Sequence, residues 1–260
     1  MIEIDRIYNE NCLDTMAKMD EGSIDLVVTS PPYDNLRKYN GFSFDIDGVI
    51  GGLHKVVKPG GVVVWVVGDE TVDGCESCTS FQQAIKFVQA GFSLHDTMIY
   101  QKECPTWNES CKRYRQTFEY MFVFSKGRPG TFNPIRDVKV KNMQPRKVKS
   151  NRTGNARYEM CVPKYEYTVR GNIWRYNAGS SSATDQYAFG HPAIFPEKLA
   201  EDHILTWSNP DDLVYDPFMG SGTTAKMAIA NGRHWIGSEI SGDYCRIIEN
   251  RLGSVQVNLF

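Results

Sequence analysis

The sequence predicts an α/β fold built on a mostly parallel sheet, and three observations carry that expectation. Two apolar runs near the N-terminus, "SIDLVVTS" (23–30) and "GVVVWVVGD" (61–69), lack the alternation of half-exposed strands. Such runs belong to strands covered on both faces. A helical stretch, "FDIDGVIGGLHKVV" (44–57), separates them, and a further strand, glycine turn, helix and strand stand near the C-terminus.

Taken in order, the first helix is ended by Pro59-Gly60-Gly61, a combination that cannot continue an α-helix. "TSFQQAIKFVQAGF" (79–92) is a second helix, capped by Thr79 or Ser80 and stopped at Gly91, as the preferences for hydroxyls at N-caps and glycine past C-caps suggest. "HDTMIYQK" (95–102) and "FEYMFVFSKG" (118–127) are strands. "FPEKLAEDHILTWS" (195–208) is an amphipathic helix, followed by "DLVYDPF" (strand), "TTAKMAIANG" (helix, capped by Thr223 or Thr224), "HWIGSEI" (strand) and "GDYCRIIENRL" (helix). Three regions are expected: residues 1–126, a basic insert at 127–190, and 191–260.

Composition limits the possible functions. The 260 residues suit one large domain, or one domain with an insertion. No apolar run reaches transmembrane length, and the N-terminus "MIEIDRIYNENC" has neither signal-peptide nor transit-peptide character. Seven scattered cysteines fit a reducing cytoplasm. "CESC" (75–78) has the spacing of half a zinc site, with Cys104 and Cys111 as distant partners. No second pair matches it, and no metal is expected. The net charge of −2 conceals an asymmetry: Lys126 to Arg175 holds 13 Lys or Arg against 3 Asp or Glu, leaving −12 for the rest. Interleaved with Tyr158, Tyr165, Tyr167 and Trp174, this stretch reads as a polyanion-binding insert rather than a merely solvated loop.

Two motifs carry chemistry. "VYDPFMGSGTTAKMA" places Asp216 at a strand end, then Gly220 and Gly222 in a tight turn, then a helix. Glycines admit a ligand close to the backbone, and a helix N-terminus favours an anion. Nineteen residues after Gly220, Glu239 ends the next strand, where a carboxylate can accept both hydroxyls of a ribose. The turn lacks the lysine of a phosphate loop and departs from GxGxxG. A nucleoside with a modest anion, such as S-adenosylmethionine, fits better. The second motif, "TSPPY" (29–33), ends a buried strand in two rigid prolines between a hydroxyl and an aromatic ring, a platform for a flat polar ligand.

Together "TSPPY", "HPAIFP" (191–196) and "DPFMGSGTT", in that order, resemble the S-adenosylmethionine-dependent DNA amino-methyltransferases that act on adenine N6 or cytosine N4. The order matches their circularly permuted β-group, and the resemblance runs from about residue 4 to residue 252. It implies a Rossmann-like methyltransferase fold with a mostly parallel seven-stranded sheet, circularly permuted, and a loop-rich target-recognition insert. It further implies that Asp216, Phe218, Gly220, Ser221, Gly222 and Thr223 surround the methionine part of the cofactor, that Glu239 holds the ribose, and that His191 lies toward the cofactor's carboxylate. Asn11 stands where relatives carry an Asp contacting the adenine, with Cys12 beside it; Cys12 reads equally well as a small buried hydrophobe.

An exocyclic amine is a poor nucleophile because its lone pair is delocalised into the ring. Ser30 Oγ and the Pro31 carbonyl can hold its hydrogens in a more pyramidal geometry, with Pro31 and Pro32 keeping the acceptors aimed. Tyr33 would stack on a base rotated out of the duplex. Ser in the first motif position is commoner among cytosine-N4 enzymes, whereas the wider resemblance leans narrowly to adenine N6, the expectation carried forward with cytosine N4 as its alternative. Lys139, Lys141, Arg146, Lys147, Lys149, Arg152 and Arg157 are expected to neutralise phosphates of double-stranded DNA. Relatives of this group are often homodimers, and a homodimer is expected. The expected location is the cytoplasm of a bacterium or of a phage-infected cell, at the nucleoid. More distant alternatives are a catalytically inactive DNA-binding protein and an RNA or small-molecule methyltransferase.

Overall fold

Val27, Val28, Val63, Val64 and Trp65 have essentially no exposed surface, because helices cover both faces of the sheet to which they belong. A computed structural model describes residues 2–32, 44–103, 112–150, 157–177, 184–185 and 195–253. In chain order its elements are β1 (Arg6–Tyr8), α1 (Cys12–Lys18), β2 (Ile24–Thr29), α2 (Ile46–Val56), β3 (Val57–Val67), β4 (Thr71–Val72), β5 (Cys75–Glu76), α3 (Thr79–Gln89), β6 (Ser93–Glu103) and β7 (Phe118–Ser125). There follow β8 (Arg136–Lys139), β9 (Arg146–Ser150), β10 (Arg157–Cys161), β11 (Tyr167–Val169), β12 (Ile173–Asn177), α4 (Glu197–Trp207), β13 (Leu213–Asp216), α5 (Thr223–Ala230), β14 (His234–Ser238) and α6 (Gly242–Leu252).

The chain divides into two compact units, Met1–Asn133 with Asn172–Phe260, and Pro134–Gly171. The first holds an eight-stranded sheet of order β1-β14-β13-β2-β3-β7-β6-β12. Only β7 runs against its neighbours, pairing antiparallel with β3 and with β6. The sheet is thus mostly parallel, with eight strands where seven are expected. β12 is the edge addition: Ile173–Asn177 pairs parallel with Ile99–Glu103. Its side chains alternate, Trp174 and Tyr176 inward and Ile173, Arg175 and Asn177 outward, as a half-covered edge strand requires. Among the described residues no helix is long and apolar enough to cross a membrane.

One face of the sheet (Val27, Val63, Trp65, Val67, Phe122, Phe124, Tyr215, Ile236) packs with Met16 of α1, Val49, Ile50 and Leu53 of α2, and Phe87 of α3. Helices α4 and α5 lie against β2, β13 and β14. Two helix starts differ from expectation. Cys78, at φ 59°, caps α3 without a side-chain bond; the carboxylate of Asp69 instead accepts from the Ser80 N–H and hydroxyl at 2.9 and 2.6 Å. Gly222, at φ 81°, caps α5, so Thr223 and Thr224 lie inside the helix with their hydroxyls committed elsewhere.

The second unit is less loop-rich than the sequence suggests, since it contains two antiparallel ribbons, β8 with β11 and β9 with β10. The basic stretch read as 127–190 therefore encloses this unit and also supplies β12 to the main sheet.

Candidate active site

Strand β13 pairs parallel with β2, Val214 opposite Leu26 and Tyr215 opposite Val27. The chain leaves β13 through α5 toward β14 on one side and leaves β2 through α2 toward β3 on the other. Between their carboxyl ends lies the topological switch point, where open α/β sheets bind ligands. The serine-proline motif and the glycine turn both emerge there.

The two motifs are bonded to each other. Thr29 Oγ1 donates to Asp216 Oδ1 at 2.6 Å, and Thr224 Oγ1 donates to Asp216 Oδ2 at 2.7 Å. The Phe218 N–H completes the set at 3.0 Å. Asp216 is 4% exposed. Burial raises its carboxyl to about 6, against the three hydrogen bonds that favour the ionised form. Ser30 and Pro32 are half-buried and Pro31 is buried; Tyr33 lies outside the described residues.

The glycine turn is held from several directions. Gly220 has φ 55° and its N–H reaches Glu239 Oε2 at 2.9 Å. A Cβ at Gly222 would lie 3.1 Å from Ile248 in a left-handed backbone. Glu239, buried at the end of β14, also accepts from the Ser241 N–H at 2.8 Å through its other oxygen. Burial raises its carboxyl above the ordinary range, opposed by those backbone bonds. Phe218 is half-buried, with Phe44 edge-on at 5.4 Å and Trp65 at 6.1 Å.

Ser221 and Thr223 lead to residues that sequence reasoning missed. Arg251, wholly buried in the last turn of α6, donates to the Ser221 carbonyl at 2.9 Å and to Thr223 Oγ1 at 2.9 Å. It also pairs with Asp185 at 2.9 Å and Glu197 at 2.6 Å. Lys226 joins the same two carboxylates at 2.7 and 2.8 Å. Burial opposes ionisation of Asp185 and Glu197, yet hydrogen bonds from Lys226 and its neighbours hold both carboxyls below their usual values. These four residues are scattered along the chain, and no spacing rule joins them.

Asn11 is the N-cap of α1, its Oδ1 accepting from the Leu13 N–H at 2.9 Å. Nearby Asn9, also missed, donates to the Glu239 carbonyl at 2.8 Å. Cys12 is buried, and burial pushes its thiol up to about 12, so it is no nucleophile near neutrality. His191 and Arg152 lie outside the described residues. In the second unit Lys139, Lys141 and Lys147 are exposed; the backbones of Arg146, Lys149 and Arg157 form strands, while their side chains lie outside the description. Among the described residues no group of three or more His, Cys, Asp or Glu could hold a metal. Cys75 and Cys78 are exposed free thiols there, and Cys104 and Cys111 fall outside.

A family model described as DNA methylase matches residues 24–250. An orphan methyltransferase, M.BamHII of Bacillus amyloliquefaciens, is 52% identical over 239 residues, which is 88% of this chain and 89% of that protein. The DNA adenine methyltransferase YhdJ of Escherichia coli (strain K12) is 27% identical over 262 residues, 96% of this chain and 83% of that protein. Among solved structures, the PvuII DNA methyltransferase (cytosine-N4-specific) aligns with a TM-score of 0.72 at 23% identity, over 98% of this chain and 87% of that one.

Proposed function

The chain belongs to the DNA methylase family of S-adenosylmethionine-dependent DNA amino-methyltransferases, and we propose that it methylates the exocyclic amino group of a base rotated out of duplex DNA, at the crevice between β2 and β13. The observation that supports this reading is the bond from Thr29 to Asp216, which ties the serine-proline motif to the glycine turn.

The residues present fit the cofactor. The Gly220–Gly222 turn offers backbone without Cβ, beside two buried carboxylates, Asp216 and Glu239. Each oxygen of Glu239 accepts one backbone N–H, and a carboxylate with about four lone-pair sites retains capacity for two ribose hydroxyls. The negative pair complements a ligand that carries a sulfonium and an ammonium. When bound, S-adenosylmethionine supplies an electrophilic methyl group on a sulfonium. Phe218, fixed edge-on by Phe44 and Trp65, walls the methionine side of the site, with Ser221 and Thr223 shaping the turn. Asn11 and Cys12 border the adenine end.

The acceptors for the amine are the Ser30 hydroxyl and the Pro31 carbonyl. Both follow a fully buried strand end, so they hold their aim without reorganising. They draw on the two N–H bonds, favour a pyramidal nitrogen and free its lone pair for in-line attack. One amine proton then leaves to water, since no covalent enzyme intermediate is needed. Tyr33 stacks on the extruded base. Lys139, Lys141, Arg146, Lys147, Lys149, Arg152 and Arg157 position the duplex through its phosphates.

The whole-chain likeness, which extends to a relative named as a DNA adenine methyltransferase, supports adenine N6 as the target. A second reading, cytosine N4, is supported by Ser30, which stands among the groups that touch the amine. The deciding experiment incubates the protein with S-adenosylmethionine and unmethylated genomic DNA, then digests the DNA to nucleosides for mass spectrometry. N6-methyldeoxyadenosine is expected; N4-methyldeoxycytidine selects the second reading. Absence of both, with the cofactor bound in calorimetry, removes DNA as the substrate.

Assembly as a homodimer is supported by the outer face of α3, where Phe81, Ile85 and Val88 are 46%, 56% and 49% exposed at helical spacing. Light scattering of the Ile85→Lys variant is expected to show the monomer mass; a monomeric wild type removes this assembly.

A further inference from the structure

The geometry points to a second DNA-contacting surface, the segment Lys112–Thr117 between β6 and β7, with Tyr114 as its stacking ring. This inference rests on the methyltransferase reading above and lies outside the basic insert.

Strand register fixes the place of the segment. Thr29 pairs with Trp65, Trp65 with Phe122, and Val67 with Tyr120. Since β7 runs antiparallel to β3, its first residue, Phe118, stands beyond Val67 at the edge where Ser30 leaves β2. Gln101 near the end of β6 pairs with Phe118, and the Lys102 N–H donates to the Thr117 carbonyl at 2.7 Å, so Lys112–Thr117 enters β7 from that same edge. β7 is two strand spacings from β2, about 10 Å, and β6 three, about 14 Å. A DNA duplex, whose major groove alone is about 12 Å wide, spans these distances, so one that presents a base at Ser30 from this edge of the sheet lies over the segment.

The chemistry of the segment suits that partner. "KRYRQT" carries three cations and no acid, in a chain whose net charge is negative. Tyr114 is 99% exposed, whereas no other large apolar side chain among the described residues exceeds 60%. Arg113 anchors the segment to the neighbouring hairpin, donating to Thr71 Oγ1 at 2.8 Å and pairing with Glu76 at 2.6 Å. Anchoring at 113 fixes the base of the turn on which the ring at 114 stands. An aromatic side chain displayed between cations is the arrangement by which proteins stack on bases while tracking phosphates. Tyr114 therefore stacks on an unpaired or opened base step near the extruded nucleotide, and Lys112 and Arg115 lie along the phosphates.

The test uses the full chain, tritium-labelled S-adenosylmethionine and unmethylated genomic DNA. Tyr114→Ala is expected to lower kcat/KM for DNA by about tenfold or more, while the Kd for S-adenosylmethionine stays within about twofold of wild type and Tyr114→Phe retains most activity. Lys112→Ala combined with Arg115→Ala is expected to weaken binding to a mixed-sequence duplex of about 30 base pairs and to flatten its log–log salt slope by about 2. An unchanged kcat/KM for Tyr114→Ala overturns the proposal. So does a rise in cofactor Kd that matches the loss of activity, which would place the effect in the fold. A wild type that binds the cofactor but methylates no DNA takes down the wider reading and this surface together. An active wild type with an equally active Tyr114→Ala removes this surface alone.

Discussion

Thr29 Oγ1 lies 2.6 Å from Asp216 Oδ1, a buried hydrogen bond between residues 187 apart in the chain. Either residue alone reads as an ordinary strand end. Bonded, they make the last residue before the serine-proline motif a structural part of the glycine turn. The Asp216 carboxylate also fixes Thr224 and the Phe218 N–H, so one side chain aligns the platform, the turn and the start of α5.

Replacing Thr29 with Val keeps the shape and removes the donor. A hydrogen bond to a charged buried group contributes about 1.5–3 kcal/mol. Denaturant unfolding of Thr29→Val is expected to show a loss of that size, with a weaker affinity for S-adenosylmethionine. Stability within about 0.5 kcal/mol of wild type would show that Asp216 finds another partner.

The raised carboxyl of Asp216 predicts an unusual pH dependence. Its ordinary value is 3.8 and burial brings it to about 6 in the folded protein. Between those values the folded state binds the proton and the unfolded state does not, so this group's contribution to stability declines as pH rises from about 4 to about 6. The whole difference corresponds to about 3 kcal/mol. Asp216→Asn cannot ionise and lacks the decline. Its stability relative to wild type is expected to increase by about 1 kcal/mol between pH 5 and pH 7.5, and a difference that stays flat over that range contradicts the assignment.

Strands such as Ile24–Thr29 are legible in sequence because a strand covered on both faces must be apolar throughout, and few other structures need that pattern. The edge that carries the candidate site is legible for a related reason: prolines and glycines with fixed backbone demands stand at the strand ends. β12 was hidden because "IWRYN" is half polar and embedded in a basic stretch, and only its partner β6 reveals it as part of the sheet. Arg251 was hidden more deeply. A charged residue in the last turn of an amphipathic helix normally reads as solvent-facing, and its counterions, at 185 and 197, come from elsewhere in the chain. The α5 cap went to Gly222 because both candidate threonines bond elsewhere, Thr224 to Asp216 and Thr223 to Arg251.

Gly222→Ala tests the turn itself. The left-handed backbone at φ 81° disfavours any Cβ, and this one would meet Ile248 at 3.1 Å. Strain of this kind costs about 1–3 kcal/mol. Calorimetry is expected to show a clear fall in affinity for S-adenosylmethionine as the turn shifts, accompanied by a lower melting temperature. Affinity equal to wild type would mean that the cofactor does not depend on the backbone at this position.

Arg251 offers the most discriminating substitution. Arg251→Met removes a wholly buried guanidinium that holds the Ser221 carbonyl and the Thr223 hydroxyl, and it leaves Asp185 and Glu197 with Lys226 as their shared cation. Breaking a buried ion pair from one side costs about 3–5 kcal/mol. Lys226→Met breaks pairs with the same two carboxylates, yet among the described residues its bonds go to Thr184, Asp185 and Glu197 and not to the turn. Both variants are expected to lose stability. Only Arg251→Met is expected to raise the Kd for S-adenosylmethionine by about tenfold, a change of about 1.4 kcal/mol, with Thr223→Val showing a smaller change in the same direction. Equal cofactor affinities in the two methionine variants would mean that the buried network supports the fold without shaping the site.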